Sequence, residues 1–137
     1  MSGGYRILEH TADIGIESWG ESIRECFEQA GYGLAELLGG QAVSGAADQA
    51  HVSSSGGDRG ALLVDFLNQL LLLHETQEVA FSEIKVTRIT GTELEAEVEI
   101  QPIEGETETT GIKAATYHRL EMLEENGSVR ARVYLDV

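Results

Sequence analysis

The sequence predicts a single α+β domain in which two amphipathic helices pack on mostly antiparallel β-sheet. Two stretches, 21–38 and from 58 or 59 to about 74, repeat apolar residues at three- and four-residue steps. From Glu78 onward the period changes to two, the mark of strands with one wet face. Helical and strand-like stretches also fall in blocks, without the βαβ alternation of a parallel sheet. At 137 residues the chain is expected to form one domain, 1–137, with a core of ordinary size.

Taken in order, 5–8 and 14–18 read as short strands around a polar His10-Thr11-Ala12-Asp13 stretch. Asp13-Ile14-Gly15 has the small and acidic residues that suit a bend. In the helix 21–38, Ile23, Phe27, Ala30, Leu34, Leu37 and Leu38 make one stripe, and Cys26 is a small, partly buried member of it. Ser22 with Glu25 fits a capping box, and Gly39-Gly40 supplies the stop. Gly31 and Gly33 each weaken this helix by up to about 1 kcal/mol and leave room for a close neighbour. Residues 39–60, rich in Gly, Ala, Ser and Gln, read as a connection crossed by a strand at 51–54.

The second helix starts at an N-cap, Asp58, and has a broad apolar face of Leu62, Leu63, Phe66, Leu67, Leu70 and Leu71. Asp65, Asn68 and Gln69 lie off it and read as a polar helix face. Short alternations follow at Val79/Phe81 and Ile84/Val86. Leu94, Ala96, Val98 and Ile100 then alternate with Glu93, Glu95, Glu97 and Glu99. Thr90-Gly91-Thr92 is a turn, and Asn126-Gly127 signals a hairpin between strands at 117–123 and 129–135. In the last strand Val129, Ala131, Val133 and Leu135 point one way, and Arg130, Arg132, Tyr134 and Asp136 the other.

Charge narrows the function. There are 24 acidic residues against 9 basic ones, a net charge of -15, so the chain repels phosphate backbones and is not expected to bind nucleic acid directly. The acidity serves either solubility or a basic partner. One cysteine, Cys26, allows neither an internal disulfide nor a thiolate metal cluster. The N-terminus lacks a signal-peptide pattern and the longest apolar run, 70–73, is too short to span a bilayer, so a cytoplasmic protein without a membrane anchor is expected. No P-loop, dinucleotide fingerprint, nucleophile elbow or zinc-protease motif occurs, so no bound nucleotide is expected.

Three polar clusters remain: His10 to Asp13, Lys113 to His118, and the ending Leu135-Asp136-Val137. Alone, Asp13 is an Asx-turn or a cap, and Asp136 a solvated carboxylate. Brought together, like charges either raise a carboxyl pKa or hold a cation, and hard oxygens without Cys favour Ca²⁺ or Mg²⁺ over zinc. Lys113 would pair with one of those carboxylates or be offered to a partner. His10 and His118 lack the paired spacing of a zinc motif and stand at the margin of any such site. His51 and His74 have no evident context.

Five segments in order resemble the archease family across essentially the whole chain. They are His10-Thr11-Ala12-Asp13, the helix after Trp19-Gly20, the stretch Leu62 to Asn68, the Lys113-Ala114-Ala115-Thr116-Tyr117-His118 run and the terminal Asp136-Val137. The loose 39–60 connection and the glycines of the first helix depart from the pattern without touching the polar clusters. The resemblance implies an accessory protein, not an enzyme, whose partner is the RNA ligase of tRNA splicing. It would promote guanylylation of that ligase's active-site histidine and so allow multiple turnover. Asp13 and Asp136, with an oxygen of Val137, would hold a divalent cation, Ca²⁺ foremost and Mg²⁺ or Mn²⁺ as alternatives, and Lys113 would act beside them. Two other readings stand next to this one. One is a general chaperone-like binding module for nucleic-acid-modifying enzymes. The other is a stand-alone metal-dependent hydrolase, for which the sequence offers no general base with a defined partner.

Overall fold

The computed structural model describes residues 3–10, 13–39, 46–104 and 111–137. In chain order the elements are β1 (Gly4–His10), β2 (Asp13–Gly20), α1 (Ile23–Leu38), β3 (Asp48–Ser55), α2 (Arg59–Gln77), β4 (Val79–Ile89), β5 (Glu93–Pro102), β6 (Ala114–Ala115), β7 (Glu121–Glu125) and β8 (Ser128–Asp136). Among the described residues every strand pairing is antiparallel, as expected, and the strands divide into two sheets. The larger runs β1-β2-β8-β6, with β7 also on β8, and the smaller runs β3-β5-β4.

Both helices touch strands of both sheets, so the sheets share one core. Phe27 of α1 and Phe66 of α2 stack at its centre, with ring centroids 6.3 Å apart. Cys26 is fully buried there and not partly so, its thiol against the Ser18 hydroxyl and carbonyl. The Ser22 hydroxyl caps α1 as expected, accepting from Glu25 N–H, while the Glu25 carboxylate reaches back one residue past the capping-box position, to Glu21 N–H. Asp58 caps α2 by accepting from Ala61 N–H. That helix runs a turn beyond its expected end, to a left-handed Glu78. No helix among the described residues is long and apolar enough to cross a membrane.

Three local expectations are corrected. Asp13-Ile14-Gly15 is strand, not bend, because β2 starts at Asp13 and pairs with both β1 and β8; Thr11 and Ala12 lie outside the described residues. The strand expected at 51–54 within 39–60 is present but longer, β3 pairing along its whole length with β5, and 40–45 lie outside the described residues. The strand expected at 117–123 starts only at Glu121, since a turn closed by Leu120 N–H to Tyr117 C=O interrupts the pairing, with Arg119 at φ 55°. The two turns hold: Asn126 and Gly127 both have positive φ, as a two-residue hairpin requires, and the Thr90 hydroxyl accepts from Thr92 and Glu93 N–H.

The outer face of the larger sheet carries an ionic cluster of one carboxylate and three arginines. Glu17 faces Arg6 on β1 and Arg132 on β8, and Arg130 reaches it from the next outward position. The nearest contacts are 2.6 Å to Arg132 and 2.7 Å to Arg6, and Glu17 itself is 1 % exposed. Burial alone would raise its pKa, but hydrogen bonds from Arg132 and Arg6 outweigh that and hold the carboxyl below its usual range. Arg130 also lies 5.6 Å above the Trp19 ring.

Two predictions follow from this packing. A methyl group at Gly33 would meet Ile16 Cγ2 at 2.7 Å, whereas one at Gly31 would meet Ile84 Cδ1 at 2.8 Å. The first neighbour is a β-branched methyl in a central strand, and the second is a side-chain end that can rotate away. The helix-propensity gain is about 1 kcal/mol in both cases, against an overpacking cost of roughly 1–3 kcal/mol at Gly33. Urea denaturation should therefore find Gly33→Ala less stable than Gly31→Ala.

Glu17→Gln should cost roughly 1–3 kcal/mol, since its arginines stay partly solvated. Because the folded pKa is lowered, the Glu17 contribution is present above the unfolded pKa and lost as pH falls through the folded one. Denaturation midpoints measured across the acid range should converge for wild type and variant at the lowest pH.

Candidate functional site

The register of β2, β8 and β6 brings the three polar clusters to one end of the larger sheet. Ile14 faces Leu135, so the next positions, Asp13 and Asp136, face one another where β2 begins and β8 ends. Alternation puts both carboxylates on the outer face, away from the core side that buries Leu135. On the other edge of β8, Ala114 faces Asp136, and Lys113 N–H donates to the Asp136 carbonyl at 2.8 Å. Lys113 and Asp136 are exposed, and Asp13 is half-buried. Among the described residues no side chain hydrogen-bonds or ion-pairs either carboxylate.

The segment from Lys113 to His118 is held at successive points. Thr116 N–H and its hydroxyl both donate to the Tyr134 carbonyl at 3.0 Å. The same hydroxyl accepts from His118 N–H at 3.2 Å. Tyr134 lies on the same face as Asp136, its ring against Gly15. Tyr117 stands out into solvent, 64 % exposed. A shallow cavity of about 370 Å³ next to this segment is lined by Arg119, Leu120, Glu121, Arg132 and Tyr134.

Not every expected residue joins the cluster. His10 faces Asp13 in the β1–β2 register, but its side chain lies outside the described residues. His118 is exposed, and the described residues contain no group of three or more His, Cys, Asp or Glu side chains suited to a metal. Val137 follows Asp136 and is half exposed. The donors at the tip are thus two carboxylates with main-chain oxygens beside them. That set fits a hard, oxygen-liking cation whose shell is completed by water, and does not fit a zinc site.

Sequence reasoning missed what supports the segment from behind. Asp65 and Asn68 do not form a solvated polar face. The Asp65 carboxylate accepts from Ser55 N–H at 3.0 Å, and the Asn68 carboxamide bonds both main-chain groups of Ala115. The signal was that apolar residues cover most of the circumference of α2, with Leu62, Leu63, Val64, Phe66, Leu67, Leu70 and Leu71 buried. Polar residues on such a helix must find partners. His51 also has a context: its ring nitrogens meet Glu97 at 2.7 Å and Glu95 at 2.8 Å on the outer face of the smaller sheet, and those hydrogen bonds raise its pKa.

Comparison with known proteins shows which family has this sequence and fold. Residues 5–137 match the model of the Archease protein family (MTH1598/TM1083). The chain is similar to protein archease of Methanothermobacter thermautotrophicus, 33 % identical over 98 % of this chain and 99 % of that protein. Among solved structures it is similar to the solution structure of Methanobacterium thermoautotrophicum protein 1598, with a TM-score of 0.68 and 30 % identity, covering 98 % of this chain and 99 % of that one. It is also similar to the crystal structure of an archease, possible chaperone, from Thermotoga maritima, with a TM-score of 0.67 and 26 % identity, covering 96 % of each chain. With a family model spanning nearly all of its residues, this chain belongs to the archease family.

Proposed function

We propose that this protein is an activator of the RNA ligase of tRNA splicing and promotes that enzyme's guanylylation over repeated turnovers through the tip formed by Asp13, Asp136 and Lys113. The observation that carries the reading is the convergence of these residues by strand register, with Lys113 N–H on the Asp136 carbonyl. Facing positions of an antiparallel pair hold their Cβ atoms about 5 Å apart, close enough for two carboxylates to share one cation. Asp13, Asp136 and a main-chain oxygen of Val137 would hold it, with Ca²⁺ favoured and Mg²⁺ or Mn²⁺ as alternatives. When bound, the cation supplies positive charge next to Lys113. The protein's own residues fix where that charge stands: β2 and β8 set the carboxylates, and Thr116 and Lys113 N–H set the segment carrying the ammonium.

The activation step itself is electrostatic. Guanylylation moves a polyphosphate past metal ions, and fixed charges aimed at the leaving group lower its barrier. This protein then needs no substrate of its own. The acidic body, at -15, suits a partner surface made basic for RNA, chiefly by steering the encounter. A chaperone-like role for several nucleic-acid enzymes is the second reading, favoured by the words possible chaperone given to the Thermotoga maritima relative.

Asp13→Asn, Asp136→Asn and Lys113→Ala should each remain folded and lower stimulated ligase guanylylation at least about tenfold in a many-turnover assay. Wild-type stimulation by all three variants would sink the tip mechanism. Excess Ca²⁺ should raise the melting temperature by several degrees, as about 2.7 kcal/mol of linkage at a hundredfold excess over Kd implies. Asp136→Asn should abolish the rise. An unchanged wild-type melting curve with Ca²⁺ and with EDTA would remove the cation from the scheme. Capture of many unrelated partners with no preference for the ligase would favour the chaperone reading, and turnover by the purified protein alone would favour a hydrolase.

A further inference from the structure

Asn68 is on α2, well away in sequence from the tip, yet its carboxamide lies against the strand that leads into it. β6 is two residues long and forms the outer edge of the larger sheet beside the tip. Its flanks face β8, through Lys113 N–H to Asp136 and Thr116 N–H to Tyr134. Ala115 turns its own N–H and C=O the other way. There the Asn68 Oδ1 accepts from Ala115 N–H at 2.8 Å, and Asn68 Nδ2 donates to the Ala115 carbonyl at 3.2 Å. One side-chain amide thus stands where the peptide group of a further strand would be. Ala115 is only 4 % exposed, so water is poorly placed to substitute for it. One turn earlier, Asp65 ties the same helix to Ser55 at the end of β3, which makes α2 a fixed support.

We infer that Asn68 is a positioning residue for the activating tip: it clamps β6 against β8 and so holds Lys113 beside Asp13 and Asp136. A two-residue edge strand has too few ladder bonds to stay in register by itself. Small side chains at Ala114 and Ala115 leave the helix room to approach. The functional part of this inference rests on the ligase reading above; the clamp itself does not.

The test uses the full chain with Asn68→Ala, Asn68→Asp and Lys113→Ala. Amide exchange is followed residue by residue by NMR, and ligase stimulation is titrated with protein. In Asn68→Ala, the Ala115 and Lys113 amides should exchange about tenfold faster, the worth of one net hydrogen bond, while β1 and β2 stay protected. Maximal stimulation should fall at least about tenfold, whereas a simple loss of folded molecules would raise the half-saturating concentration and leave the maximum unchanged. Asn68→Asp keeps the acceptor for Ala115 N–H and loses the donor, so it should fall between wild type and alanine, and it serves as the test variant if alanine unfolds the chain. Lys113→Ala should abolish stimulation with Ala115 exchange unchanged. Unaltered Ala115 exchange in both Asn68 variants overturns the clamp. Faster Ala115 exchange with a still-protected Lys113 amide, or with full stimulation, overturns the positioning role. If the wild-type protein stimulates nothing, the ligase reading falls, and the Lys113 amide still decides whether Asn68 positions it.

Discussion

Unpaired strand edges are the constraint that organises this molecule. An edge presents N–H and C=O groups in a row, and each one buried without a partner costs about 1–3 kcal/mol. Here the helices supply the missing partners. The Tyr32 hydroxyl accepts from Ile84 N–H and donates to the Ile84 carbonyl, while the Glu28 carboxylate accepts from Val86 N–H, sealing the outer edge of β4. Asp65 takes Ser55 N–H at the end of β3, and Asn68 takes both groups of Ala115. The unsatisfied total would rival the whole stability of a small domain. Each helix is therefore located twice, by its apolar stripe and by polar side chains that fit one strand position.

The same constraint explains why the candidate site lies where it does. β8 has β2 along one edge and the broken β6–β7 edge along the other. Its end is the place where three sequence-distant segments meet. Charge is segregated around it. The outer face of the smaller sheet carries Glu93, Glu95, Glu97 and Glu99, with His51 bridging two of them. The outer face of the larger sheet gathers Arg6, Arg130 and Arg132 over one buried carboxylate. A molecule charged this unevenly meets a patterned partner in a preferred orientation.

Much of this was legible in the residues. Apolar steps located both helices, Ser22 and Asp58 marked their starts, and Asn126-Gly127 marked the last hairpin, because each of these signals is local. The pairing of β2 with β8 was not legible, since alternation says which face a residue occupies and nothing about which strand lies next to it. The five family segments carried that information for the tip. What stayed hidden was every long-range polar bond: Asn68 to Ala115, Asp65 to Ser55, Tyr32 to Ile84 and Glu17 to its arginines. Periodicity classes all of these residues as solvent-facing, and only the tertiary structure supplies their partners.

Glu17 and Arg132 are 115 positions apart in the chain, and that separation shapes the order of assembly. The β1–β2 hairpin closes over a short loop and can form early, but its second strand has no partner on its far edge until β8 arrives. Closing so large a loop costs more chain entropy than closing the β1–β2 hairpin. Until then the Glu17 carboxylate is hydrated and the Asp13–Asp136 tip does not exist. Pairing of β8 with β2 places Arg132 on the Glu17 carboxylate and Asp136 opposite Asp13 together. The tip thus exists only where β2 and β8 have paired, so its presence reports that this part of the sheet is assembled.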